Sequence, residues 1–123
     1  MNEKKLTGRW GESVAAAYLR RKGYTILEMG FTCRVGEIDI IARERREIVF
    51  VEVKLRREET ATRAADAVSR TKQRRLMSAA RFWLSGRDID TETRFDVIEI
   101  YAPQGTDTEK PRIEHLEGAF WEK

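Results

Sequence analysis

The stretch Gly36-Glu37-Ile38-Asp39-Ile40-Ile41, followed by Ile48-Val49-Phe50-Val51-Glu52-Val53-Lys54, decides how this chain folds. Both are apolar runs rich in Ile and Val, separated by the polar turn Arg43 to Glu47, and they read as two strands of a hairpin. Charged side chains are disfavoured inside such runs, yet Asp39, Glu52 and Lys54 lie within them. A hairpin centred between Arg45 and Arg46 sets Asp39 opposite Glu52, Glu37 opposite Lys54 and Ile41 opposite Phe50. Strand side chains alternate, so those four charged residues share one face while Val49, Val51 and Val53 take the other. Like charges directly opposite cost about 0.2–1 kcal/mol on a sheet, so Asp39 facing Glu52 calls for a cation between them. Magnesium or manganese suits that position, because such ions take oxygen ligands, keep several waters and make one of them a stronger nucleophile. Lys54 beside them would orient that water or offset charge on the phosphorus. The plainer alternative is a solvated sheet face with a Glu37–Lys54 surface salt bridge, worth little.

Outward from this hairpin, Lys5 to Lys22 reads as a helix, with Leu6, Trp10, Val14, Ala17 and Tyr18 at spacings of three and four and Gly23 as its stop. Tyr24 to Phe31 reads as a first strand, Glu37 to Ala42 as the second and Ile48 to Leu55 as the third. Arg56 to Thr62 reads as an exposed linker, and Arg63 to Leu84 as a long helix with Val68, Leu76, Ala79, Ala80 and Trp83 inward. Arg94 to Tyr101 reads as a fourth strand and Ile113 to Leu116 as a short last one. The expected fold class is α/β, with a mixed central sheet flanked by helices. Short connections make the first three strands an antiparallel meander; the fourth follows a helix and pairs in parallel.

At 123 residues and 41% hydrophobic content, the chain is expected to be one domain (1–123) with a real core. Charged residues make up 37% of it. The net charge is only +3, but the cations are bunched: Arg20 to Lys22, Arg43 with Arg45 and Arg46, Lys54 with Arg56 and Arg57, and Arg70 to Arg75. Such clusters provide footprints for a polyanion, or simply solvated faces. The single Cys33 permits no internal disulfide, which fits a reducing compartment. No apolar segment resembles a signal peptide or a membrane span, so a soluble cytoplasmic protein is expected.

The two strand motifs together resemble the YraN family of restriction-endonuclease-like proteins. Further segments agree: Gly11-Glu12 with Ala15-Ala16-Ala17-Tyr18-Leu19, Lys22-Gly23-Tyr24-Thr25-Ile26-Leu27, Arg94-Phe95-Asp96-Val97, Lys72 with Arg75-Leu76, and Ile113 to Phe120. That family is similar to the PD-(D/E)xK nucleases, including Holliday-junction resolvases. The resemblance implies a restriction-endonuclease-like fold, a site in which Asp39 and Glu52 bind magnesium or manganese, the Val53 carbonyl as a third ligand, and Lys54 as the catalytic lysine. It also implies that Glu12 completes the metal site. The chain departs from the family pattern at Gly30-Phe31-Thr32, where an asparagine is usual, at Leu55, where a threonine is usual, and between Arg56 and Thr62, which lacks the usual phenylalanine-glycine. None of these departures touches the carboxylate and lysine set; they bear on loop contacts to substrate.

Arg56, Arg57, Arg70, Lys72, Gln73 and Arg74 are the expected nucleic-acid contacts, since cationic side chains fix register on a phosphate backbone. Trp10 and Trp83 fall on apolar helical stripes and belong in the core. His115 is expected to be a hydrogen-bonded structural residue, and Asp96 to pair with a neighbouring Arg or to cap backbone donors. The leading expectation is a metal-dependent endonuclease acting on structured or single-stranded DNA, as a homodimer where two strands are cut. A non-catalytic nucleic-acid-binding protein on the same fold is the alternative, and a scaffold for another protein the third.

Overall fold

The computed structural model describes residues 3–57 and 68–120. Helix α1 (Glu3–Arg21) leads into β1 (Thr25–Cys33), β2 (Gly36–Glu44) and β3 (Glu47–Arg56); α2 (Arg70–Ser85), β4 (Thr93–Tyr101), a 3-10 turn (Gly105–Asp107) and β5 (Arg112–Phe120) follow. The strands form one sheet in sequence order, β1-β2-β3-β4-β5. Every neighbouring pair is antiparallel except β3 and β4, which run parallel because the segment carrying α2 crosses between them. This is the mixed α/β sheet that the sequence predicts.

The β2–β3 register is also as expected: Ile41 pairs with Phe50 and Glu44 with Glu47 across the turn Arg45-Arg46. Arg45 holds that turn at φ 56°, a left-handed conformation that costs an L-residue roughly 1 kcal/mol. Two differences lie in α2 and β5. The second long helix begins at Arg70 rather than Arg63, because Ser69 is extended and its hydroxyl accepts from the Lys72 backbone N–H, capping the first turn. Residues 63–67, and most of the expected linker, lie outside the described residues. The last strand runs nine residues rather than four, because it pairs with β4 as far as Phe95–Phe120.

Two apolar clusters cover the two faces of the sheet. Under α2 lie Ile41, Ile48, Phe50, Leu76, Trp83, Phe95 and Val97; under α1 lie Ala15, Leu19, Ile40, Val49, Val51, Ile98 and Ile100. Along β3 the split follows the strand period, with Val49, Val51 and Val53 on the α1 side. Along β2 it does not. Ile38 packs under α2 whereas Ile40 packs under α1, so alternation breaks around Asp39. The β2–β3 ladder ends at the same place, on the pair Ile40–Val51. Gly36 lets the start of β2 lie against α2, since a Cβ there would stand 2.7 Å from the Arg75 carbonyl oxygen.

Candidate metal centre

Where β2 parts from β3, the vacated position is filled by a side chain. Asp39 Oδ2 accepts the Val53 backbone N–H at 2.8 Å, replacing the ladder bond that β2 no longer offers. The Asp39 carboxyl also faces that of Glu52, which is only 4% exposed, across a shared cavity. The two acids expected to face each other therefore do meet. Glu12 joins them from α1: Glu12, Asp39, Glu52 and Val53 line one cavity of about 170 Å³ with Gly8, Gly11, Leu55 and Lys72. Gly8 stands four residues before Glu12 on the same helix face, and Gly11 also lines the hollow, so neither position puts a side chain into it.

Lys72 comes from the other helix. Its Nζ lies 2.9 Å from Glu52 Oε2, and its side chain is about half exposed. Burial works against the Lys72 charge, but the hydrogen bond and attraction to Glu52 outweigh it and hold the ammonium above its ordinary value. Lys54 is exposed, does not line the cavity and makes no ion pair among the described residues. The structure thus groups Glu12, Asp39, Glu52 and Val53, adds Lys72, and leaves Lys54 outside the cavity. A helix read from Arg63 puts Lys72 past its first turn, so the pairing with Glu52 was not legible in the sequence; the observed start at Arg70 changes that. A helix N-terminus disfavours cations, yet the first turn of α2 holds Arg70 and Lys72 and no acid.

The remaining expected contacts are dispersed. Arg56 turns inward onto Glu99, which is fully buried. Gln73 Nε2 donates to the Val68 carbonyl at 2.9 Å and so helps fasten the start of α2. Arg57, Arg70 and Arg74 are exposed.

Crowded acids hold protons. Burial first, then the hydrogen bond and charge of Glu52, push Asp39 up to about 8 from its ordinary 3.8. Burial first, then the charges of Asp39 and Glu37, push Glu12 up to about 7. Between pH 3.8 and about 8 the folded state keeps a proton on Asp39 that the unfolded state has released, so metal-free stability falls as pH rises through that window. Denaturant melts without divalent ions should show wild type losing more stability than Asp39→Asn between pH 5 and pH 8. Parallel curves for the two proteins would contradict this.

A second acidic group lies elsewhere. Asp96, His115 and Glu117 bring ligand atoms within 4.8 Å of one another, a grouping compatible with a metal ion. There, however, both Asp96 oxygens already have partners. Arg94 donates to them at 2.8 and 3.0 Å, His115 Nε2 lies at 2.7 Å, and the Gly118 N–H donates at 3.0 Å. Burial alone would raise Asp96, but the His115 and Arg94 bonds reverse this and hold it below the ordinary aspartate value.

The sequence pattern of the uncharacterised protein family UPF0102 matches residues 11–100, most of the chain. The chain belongs to UPF0102. Among its relatives, the UPF0102 protein of Geobacter metallireducens is 47% identical over 118 residues, covering 94% of this chain and 93% of the relative. That of Syntrophotalea carbinolica is 45% identical over 114 residues, 92% and 89% of the two chains. That of Caldanaerobacter subterraneus is 40% identical over 119 residues, 95% and 96%. The UPF0102 match takes in Glu12, Asp39, Glu52 and Lys72, so the whole cavity apart from Gly8 falls inside the family region. No helix among the described residues is long and apolar enough to cross a membrane.

Proposed function

We propose that this UPF0102 protein is a magnesium- or manganese-dependent nuclease with a restriction-endonuclease-like fold, cutting phosphodiester bonds in structured or single-stranded DNA. One observation carries the proposal. Two carboxylates on adjacent central strands, Asp39 and Glu52, line one cavity with a third, Glu12. An all-oxygen donor set of Glu12, Asp39, Glu52 and the Val53 carbonyl suits a hard divalent ion. Bound there, such an ion would supply Lewis-acid polarisation of the phosphodiester and a water of lowered pKa.

The protein's own groups account for the rest. The Val53 N–H fixes the rotamer of Asp39, so that one of its oxygens is held against the backbone. Glu52 sits between Asp39 and the Lys72 ammonium, and that cation offsets the negative charge of the acids. Lys54 follows Glu52 by two residues on the exposed end of β3, where an incoming phosphate meets it before the cavity. Lys72 therefore balances the acids, and Lys54 is the lysine that approaches substrate and stabilises charge on phosphorus.

The alternative, a non-catalytic nucleic-acid-binding protein, draws on one contact: Lys72 already neutralises Glu52 without any metal. Purified protein assayed on branched, single-stranded and duplex DNA, with and without manganese, separates the two. Metal-dependent cleavage is expected, with Lys54→Ala lowering the rate roughly 100-fold or more, while Lys72→Ala, which removes a cation competing for Glu52, mainly lowers the manganese requirement. Salt-sensitive DNA binding with no cleavage under any metal would favour the alternative.

A further inference from the structure

The β2–β3 turn carries a feature that the metal centre does not use. A hollow of about 640 Å³ is lined there by Arg43, Arg45, Arg46 and Arg87, with Trp83 and Ile48 in its apolar floor. Four guanidinium groups outnumber the two carboxylates that line it, Asp88 and Asp90, and the Glu28 carboxylate beside Trp83, which lies 3.8 Å from Arg87. The walls are tied together, since the Thr91 hydroxyl donates to the Arg46 carbonyl and the Ile48 N–H donates to the Glu92 carbonyl at 3.0 Å. Arg87 is already positioned: its guanidinium lies 4.0 Å over the Trp83 ring and also bonds the Trp83 carbonyl. Arg45 occupies a left-handed turn position that glycine or asparagine fills with less strain. A turn that carries arginine there places a cation on the rim at a conformational cost, and such costs mark functional positions.

We propose that this hollow anchors a backbone phosphate of a nucleic-acid strand. Planar guanidinium forks match phosphate oxygens, and the exposed Arg45 and Arg46 present them outward. Arg43 stands four residues from Asp39 on the same strand, which at about 3.3 Å per residue is roughly 13 Å. That separation equals about four base-pair steps of duplex. A free phosphate ester offers the same chemistry, and only the choice of a strand as its source rests on the nuclease reading.

The test is binding of a labelled single-stranded oligonucleotide in EDTA across a salt series. It compares wild type with an Arg45→Gly/Arg46→Ala variant, whose glycine suits the positive φ, and with an Arg20→Ala/Arg21→Ala control that removes the same charge elsewhere. The turn variant should bind roughly tenfold more weakly at low salt, and its log-affinity against log-salt slope should fall by about 1.4, at 0.7 per lost phosphate contact. The control should change the slope little. Equal slopes for wild type and turn variant, or an equal drop in the control, would overturn the proposal. Inorganic phosphate is titrated in parallel, following the Trp83 indole N–H by NMR. Saturation by phosphate alone, with no slope change on the strand, would assign the hollow to a free phosphate ester and overturn the strand anchor. A slope change without cleavage under any metal would keep the anchor and remove the nuclease, while cleavage with unchanged slopes would do the reverse.

Discussion

Asp39→Asn is expected to abolish phosphodiester cleavage, by roughly 1000-fold or more, and yet to leave the metal-free protein at least as stable as wild type at pH 8. The first half follows from charge. Removing one anionic ligand forfeits several kcal/mol of metal-assisted stabilisation, and each 1.36 kcal/mol is tenfold in rate. The second half follows from the local geometry. An asparagine oxygen can still accept the Val53 N–H, so the end of the β2–β3 ladder stays closed. What disappears is the like charge that burial and Glu52 make unfavourable. Most substitutions at buried polar positions lower both activity and stability; this one is expected to separate them. Activity is read by single-turnover cleavage in manganese, stability by denaturant midpoint in EDTA. The comparison also locates the ion. Manganese should raise the midpoint of wild type and not of Asp39→Asn. If manganese stabilisation survives in Asp39→Asn but is lost in Asp96→Asn, the ion sits with His115 and Glu117 instead, and the proposed centre fails.

Much of this arrangement could be read from residue order, because it depends on local periodicity. The hairpin register followed from two apolar runs around a short polar turn, and it carried Asp39 to the neighbourhood of Glu52, one position past the last ladder pair Ile40–Val51. The ordering of antiparallel and parallel strands followed from connection length. What stayed hidden depends on contacts between distant segments. Lys72 reaches Glu52 only because Ser69 starts α2 later than the apolar stripe suggests, which puts residue 72 in the first turn. The break of alternation at Asp39 needs two helices to pull Ile38 and Ile40 to opposite faces, and no single-strand pattern announces it. Glu12 looked like any exposed helical acid until α1 was laid across β3, and only the family resemblance had singled it out. Arg56 illustrates the opposite case. Its place in a basic cluster suggested substrate contact, yet the buried Glu99 on the neighbouring strand takes it inward.

Asp96→Ala is expected to be the most damaging single change to stability, at about 3–5 kcal/mol, because it removes the acceptor around which a buried network is built. Asp96 is fully buried on β4 and receives Arg94, His115 and the Gly118 N–H. Without it the Arg94 guanidinium, whose side chain is 11% exposed, keeps the buried Tyr24 hydroxyl and three carboxylates nearer the surface, Glu44, Glu47 and Glu117. The backbone is affected too. The β4–β5 register shifts between Phe95 and Val97, opposite Gly118 at φ 59°, and the Asp96 carboxylate satisfies the amide that this bulge leaves unpaired. An alanine therefore orphans a buried N–H and takes from Arg94 its one fully buried carboxylate partner, and both losses are costly. Asp96→Asn separates the two losses, since its amide oxygen can still accept from Gly118 or Arg94 while the charge is gone; about half the penalty is expected. Thermal melts should place Asp96→Ala roughly 10 °C or more below wild type, with Asp96→Asn between them. His115→Gln removes one buried partner and should cost about 1 kcal/mol. A melting temperature for Asp96→Ala within a degree or two of wild type would mean that Arg94 finds equal company among Glu44, Glu47 and Glu117. The carboxylate would then be an accessory to that end of the sheet rather than the group that holds β4, β5 and α1 together.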